Sequence, residues 1–285
     1  MEIPNYVKSY EDKLDALIAT HGRDEAMARI VGGQYHAIGI LERSALLTHG
    51  LRPEHNVVDV GCGSGRLAVA LRSYLTGKFY GTDVLQRALD YAAEKCARPD
   101  WEFVRTMEPV IPAPARSADY VCFFSVFTHL LDEDIYRFLA EAKRVARPGG
   151  TILFSYLDFE VMSHWTVFDL TLADRNPNRV LNKFISQPAI RRWCAQLGLA
   201  IERLYDGPEP WIKLTEPFRY SDGREASGTV EFGQSVAIVP PKPGRRTACP
   251  RRVRRRQTRR RRAWRARSRG RARRRRVNCS RARGG

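Results

Sequence analysis

Residues 57–71, VVDVGCGSGRLAVAL, constrain this chain more than any other stretch. Val57, Val58 and Val60 make a short apolar run. Gly61, Gly63 and Gly65 follow at alternate positions, and a helical pattern resumes with Leu67, Ala68 and Leu71. The order is strand, tight turn, helix. Glycines let such a turn take positive φ and leave room for a ligand that a Cβ would exclude. The helix behind it aims free N–H groups and the positive end of its dipole at the turn.

Several nucleotide-binding turns share this outline, and spacing separates them. The dinucleotide fingerprint G-x-G-x-x-G/A fails from Gly61, because Arg66 holds the third position. From Gly63 it is met by Ala68, but two residues late in the turn. A P-loop needs a lysine after its glycines, and none stands here. The pattern present is D-x-G-x-G-x-G, with Asp59 inside the strand. A carboxylate there repels pyrophosphate and favours an ammonium or sulfonium group. The run resembles the first motif of the class I S-adenosylmethionine-dependent methyltransferases. The resemblance implies that Asp59, Gly61, Cys62, Gly63 and Gly65 hold the methionine end of that cofactor.

The rest of the repeat follows in order. Residues 78–82 (KFYGT) read as a second strand ending at Asp83, 18 residues after Gly65. An acid at about this distance accepts hydrogen bonds from ribose hydroxyls, and one carboxylate can serve a vicinal diol. Asp83 also stands where it would cap the helix marked by Leu85, Ala88, Leu89 and Ala92. The methyltransferase family has an acid at this place, and the resemblance gives Asp83 the ribose. Residues 101–105 (WEFVR) are a third strand. In the family the loop beyond it touches adenine, which here puts Met107 against the base, with Thr106 in place of the usual acid.

Residues 118–125 (ADYVCFFS) are nearly all apolar and read as a central strand covered on both faces. A helix with Ile135, Phe138, Leu139, Ala142 and Val145 on one side leads to Pro148-Gly149-Gly150 and a fifth strand, 151–156. The block SVFTHLLDEDIYRFLAEAKRVARPGGTILFSY resembles the corresponding part of bacterial small-molecule methyltransferases. The resemblance places backbone near Ser125 at the cofactor. His129 is the candidate general base, since imidazole titrates near neutrality. Its alternative is a histidine packed under the helix and hydrogen-bonded to backbone.

Ahead of the glycine motif, residues 4–49 read as helices. They either cap its mouth or simply pack on the sheet edge. Residues 157–186, rich in aromatics, break the repeat and either wall an acceptor pocket or form a plain hydrophobic helix. Tyr35, Tyr156 and Trp165 are the candidates for touching the acceptor. Residues 199–204 and 234–239 have no helix between them, so they are expected to pair antiparallel at an edge.

Charge divides the chain. Of its 49 Lys and Arg, 22 fall at or after Lys242, where no acid stands; the 27 before it face all 31 acids. A boundary is therefore set near residues 240–243, PPKP. Composition marks the segment beyond as unable to bury a core and expected to be disordered. With one lysine and Trp264 alone among its aromatics, it reads first as a non-specific appendage or the out-of-frame product of a GC-rich message. Second comes a nucleic-acid arm. Six scattered cysteines give no C-x-x-C pair, and no metal site is indicated. The start of the chain lacks an apolar leader and no run has the length of a membrane span, so a cytoplasmic setting without a membrane partner is expected.

The expected fold is a doubly wound, Rossmann-like α/β sandwich. Its sheet has seven mostly parallel strands, the last antiparallel as in the family. Residues 1–50 form a helical cap, 51–240 the methyltransferase domain and 241–285 the tail. The implied activity is methyl transfer from S-adenosylmethionine to an oxygen or nitrogen of a small-molecule acceptor. Base methylation on nucleic acid is disfavoured: FFSV stands where an Asn/Asp-Pro-Pro-aromatic run or a Pro-Cys pair would be. The remaining alternative is a non-catalytic binding module working through the tail.

Overall fold

The computed structural model describes residues 5–176 and 179–242, with side chains from Lys8 onward. Residues 1–244 form one compact unit. The expectations for the arginine-rich segment fall almost wholly outside the described residues.

Three helices open the chain: α1 (Asn5–His21), α2 (Arg23–Ile30) and α3 (Tyr35–Thr48). Strands and helices then alternate: β1 (Val57–Val60), α4 (Arg66–Leu71), β2 (Phe79–Asp83), α5 (Gln86–Cys96), β3 (Glu102–Arg105), β4 (Ala118–Phe123), α6 (Asp132–Val145) and β5 (Ala146–Tyr156). After β5 come α7 (Trp165–Ala173), α8 (Gln187–Leu197) and β6 (Arg203–Tyr205). Two small hairpin-like pairs follow, β7 (Ile212–Lys213) with β10 (Thr229–Val230) and β8 (Phe218–Arg219) with β9 (Glu225–Ala226), before β11 (Ser235–Ile238).

Seven strands make the main sheet, in the order β3-β2-β1-β4-β5-β11-β6. β1 to β5 pair in parallel, and β11 runs antiparallel to both β5 and β6. The expected sheet is therefore the observed one. The chain continues the antiparallel edge past β11: Leu199 bridges Pro241, and Lys242 N–H donates to the Gly198 carbonyl.

Alternation along the strands splits the core into two layers. Val57, Tyr120 and Cys122 face α3 and α4, while Val58, Val60, Val121 and Phe123 face α6. All six residues of β4 are buried. Each such Val or Phe contributes about 1.5–3 kcal/mol when fully buried. Helix α6 shows why it forms. Ile135, Phe138, Leu139, Ala142 and Val145 bury one face, Asp132, Glu133 and Asp134 occupy the first turn, and Lys143 and Arg144 the last. Those charges complement the helix dipole. A third cluster joins the opening helices to α5, with Leu14, Met27 and Ile30 against Leu85, Ala88 and Tyr91. The strand order reverses between β1 and β4. Open α/β sheets bind ligands at such a switch point, beyond the carboxyl ends of the strands.

Candidate active site

The turn after β1 is pinned before any ligand enters. Gly61 and Cys62 both donate N–H to the Thr82 carbonyl at the end of β2, at 2.7 and 2.9 Å. Gly61 and Gly63 take φ of 71° and 55°. Space forbids a side chain at either: a Cβ on Gly61 would lie 2.5 Å from Val126 Cγ2, and one on Gly63 2.4 Å from Val31 Cγ1. Gly65 has a different task. It starts α4 in the left-handed region, and a Cβ there would meet Ala92 of α5 at 2.6 Å.

Asp83 closes this half of the site. Its Oδ2 accepts the Gly63 N–H and its Oδ1 the Leu85 N–H, each at 2.9 Å. The carboxylate thus both caps the approach to α5 and grips the glycine turn. The Val84 N–H also leans on this carboxylate, which with about four acceptor sites keeps capacity for a further donor. Burial pushes its carboxyl upward, against the pull of the N–H donors.

Above the turn lies a cavity of about 1040 Å³. That is at the upper end of the roughly 300–1,000 Å³ of small-molecule sites, room for a nucleoside-sized group and a second molecule. Gly61, Gly63, Asp83, Met107, Ser125 and His129 all line it. So do residues that spacing did not single out: Tyr10 and Lys13 on α1, Arg66 on α4, and Phe124, Phe232 and Gln234. Helix α1 therefore roofs the cavity, which is the capping role considered for the opening helices. From the insertion, Asp174, Asn176, Arg179, Val180 and Asn182 reach the wall.

Ser125 holds a strained position, with φ of 59° outside glycine. Its N–H donates to Ser155 Oγ at 2.7 Å, and Ser155 Oγ–H donates to Gln234 Oε1 at 2.7 Å. This chain fixes the backbone just past β4 at the cavity edge. His129 sits half-buried beyond it. Its Nδ1 lies 2.6 Å from the Leu181 carbonyl. A carbonyl only accepts, so Nδ1 carries the proton and Nε2 keeps its lone pair. Burial pushes the imidazole below its ordinary pKa, favouring the neutral ring. The Tyr10 ring stands edge-on to it at 6.2 Å.

Six predicted residues lie elsewhere than in the cavity wall. Asp59 is 3% exposed and points to the α3–α4 face, where burial, Glu42 and Asp83 raise its carboxyl well above the usual range. Beside it, buried Glu42 pairs with Arg66, whose Nε donates at 2.8 Å. Cys62 turns under Gly81, and burial pushes its thiol up. Gly65 serves helix packing. Tyr35 donates its hydroxyl to the Ser64 carbonyl at 2.7 Å, bracing the turn from behind. Tyr156 is fully buried in the core layer beside Phe154. Trp165 is on the outer helix α7, its Nε1 donating to the Phe159 carbonyl at 2.9 Å. The last three, Tyr35, Tyr156 and Trp165, were expected at the acceptor, and Tyr35 is held away from it by its bond to the Ser64 carbonyl. Strand alternation turns Tyr156 inward, and the cavity wall forms from the segment after α7 instead. Among the described residues no group of three or more His, Cys, Asp or Glu is placed to hold a metal ion.

Comparison with known proteins agrees with this geometry. Residues 57–150 match the family described as "Methyltransferase domain". The ribosomal protein L11 methyltransferase of Nitrosomonas europaea is 27% identical over 143 residues, 46% of this chain and 45% of that protein. The malonyl-[acyl-carrier protein] O-methyltransferase of Serratia marcescens is 32% identical over 172 residues, 57% of this chain and 62% of that protein. The chain spans about half the length of such relatives. Among solved structures, magnesium protoporphyrin IX methyltransferase from Synechocystis PCC 6803, with bound SAH, superposes with a TM-score of 0.54 at 14% identity, over 83% of this chain and 96% of that one. That likeness is one of fold. Sheet order, glycine turn and family match together assign this chain, through its 57–150 domain, to the class I S-adenosylmethionine-dependent methyltransferases.

Proposed function

We propose that this protein transfers the methyl group of S-adenosylmethionine to an oxygen or nitrogen of a small-molecule acceptor. The observation that carries the reading is one continuous cavity. It holds the Asp83 carboxylate and bare Gly61 and Gly63 at one end, and the His129 imidazole with Lys13 and Arg179 among its other walls. The residues fit the cofactor: the Asp83 carboxylate has acceptor capacity for a ribose diol, and the glycines carry the turn along a positive-φ path that a Cβ would block. Met107 offers an apolar face for adenine, and Ser125 a fixed backbone edge. Asp59 stands behind the turn, beside Glu42 and Arg66, and does not line the cavity.

When bound, the cofactor supplies a methyl group already activated on a sulfonium. The protein's work is then alignment, exclusion of water and proton removal. Helix α1 and the apolar side chains Ile38, Leu41, Phe124 and Phe232 enclose the acceptor. His129 Nε2 takes the proton of an acceptor that still carries one. A cavity of this size suits a small acceptor, or the end of a longer one.

The test is a methyl-transfer screen with methyl-labelled S-adenosylmethionine against metabolite extracts. Label should move to a small-molecule fraction with the unaltered protein and not with Asp83→Ala. Label recovered only in protein or RNA would replace the acceptor class, and no transfer to any pool would remove the enzyme reading.

A further inference from the structure

Strand β11 runs antiparallel to β5, so it begins at the carboxyl end of the parallel strands, where the cavity opens. Gln234 directly precedes β11, is half-buried and lines that cavity. The sheet order β1-β4-β5-β11 sets it three strands from the glycine turn, roughly 14 Å at about 4.8 Å per strand. Gly61 and Asp83 hold the cofactor end, at β1 and β2. Gln234 therefore stands at the acceptor end. Phe124 and Phe232, whose rings pack at 5.5 Å, line the same cavity.

The hydrogen bonds fix which way the Gln234 amide faces. The Ser125 N–H can only donate, so Ser155 Oγ accepts it and passes its own proton on to Gln234 at 2.7 Å. The atom that receives that proton is the amide oxygen, Oε1. The Ser125 hydroxyl reaches the same oxygen at 3.3 Å. Ser155 is fully buried, so the anchor lies inside the fold. Nε2, with two N–H donors, is turned the other way. Among the described residues no group accepts from it, and it is not one of the buried polar atoms left without a partner. It is thus an open donor, oriented in advance, on a residue of the cavity wall.

We propose that Gln234 selects the methyl acceptor, its Nε2 donating to a carbonyl or carboxylate oxygen on a molecule whose apolar body packs against Phe124 and Phe232. The proposal rests on the methyl-transfer reading and adds the chemistry of the substrate to it. An acceptor without that oxygen leaves the amide donors desolvated and unpaired, which is how a fixed donor rejects close analogues. Gln234 takes no part in proton removal. It sets which molecule is held, and through Ser155 it also steadies the backbone at Ser125.

The test compares the full chain with Gln234→Glu and Gln234→Leu. Each is given methyl-labelled S-adenosylmethionine and a metabolite extract, diluted over about a hundredfold range at about pH 8. Glutamate keeps an oxygen for Ser155 and replaces the donor by a second oxygen, ionised at that pH. Leucine removes both, and the near-isosteric glutamate variant carries the test should the leucine variant melt early. In Gln234→Glu, label transfer from dilute extract should fall about tenfold or more, and less from concentrated extract, as a raised KM requires. Its affinity for S-adenosylmethionine by calorimetry should stay within about twofold of the parent's. Mass spectrometry of the labelled product should find a carbonyl or carboxyl oxygen besides the atom that took the methyl group. Transfer by Gln234→Glu equal to the parent's overturns the proposal, and failure of the leucine variant alone would leave Gln234 as a support for Ser125 only. A labelled product without such an oxygen overturns it too. In these cases the parent still transfers label and the methyl-transfer reading stands; a parent that transfers no label removes both.

Discussion

On one side of the cavity the lining groups are the backbone of the glycine turn, the Asp83 carboxylate and Arg66, which is paired with Glu42. On the other they are side chains gathered from α1, the loop past β4, the segment after α7 and the approach to β11. The first wall spans 23 residues, from Gly61 to Asp83, tied by the Thr82 carbonyl and by Asp83 itself. The second joins Tyr10 to Gln234 across the whole folded unit. The first wall offers a ligand few alternatives, because it presents bare backbone, one acid and an arginine already engaged by Glu42. The second wall can change its ligand by changing a few side chains, and the scaffold need not move.

Four changes break or sharpen that contrast, in falling order of expected effect. His129→Gln strikes the second wall alone. The turnover rate should fall about 10²-fold or more, with little change in cofactor affinity. In the parent the rate should rise with pH through a value below the ordinary histidine pKa of 6.5, because burial disfavours the charged ring, and stay level above it. The variant should lose that limb. An unchanged rate would show that the acceptor arrives without a proton to remove.

Arg66→Met strikes the support beneath both walls. Glu42, 2% exposed, would lose its ion pair, and Val31 the donor to its carbonyl. Leaving such a carboxylate buried and unpaired costs about 3–5 kcal/mol, readable as a lower denaturant midpoint. The double variant E42Q/R66M should recover part of the loss. A smaller effect comes from Gly63→Ala, which adds a Cβ at positive φ against Val31. Cofactor affinity should drop about tenfold by calorimetry, and Val31→Ala in the same chain should relieve the clash but not the backbone strain. The smallest effect is expected from ending the chain after Gly244, where the compact unit ends. Cofactor affinity should be unchanged within error; a clear loss would tie the arginine-rich segment to the site.

The same contrast governs what could be read from the sequence. The individual strands, the glycine turn and Asp83 follow from local spacing, because strand period, positive φ and strand-end position are properties of short segments; the seven-stranded sheet came from the family resemblance. His129 followed from its place just past a buried strand, and Ser125 from the resemblance. Asp59 shows where that logic thins: strand alternation turns it toward Glu42 and Arg66 instead of the cavity. Tyr156 was misplaced for the same reason, by one step of the strand period. Lys13, Arg179 and Gln234 had no local signal at all. They reach the cavity through helix and insertion packing, which depends on tertiary contacts that no short pattern encodes.

The most direct test of the account is titration calorimetry of the full chain with S-adenosylmethionine, beside the Asp83→Ala variant. Removing a carboxylate that serves two ribose hydroxyls should cost about 2–3 kcal/mol, a loss in affinity of about 100-fold, with the fold retained by circular dichroism. One site in the parent and a loss of that size in the variant is the predicted result. Equal binding by both proteins, or no heat from the parent, would contradict it.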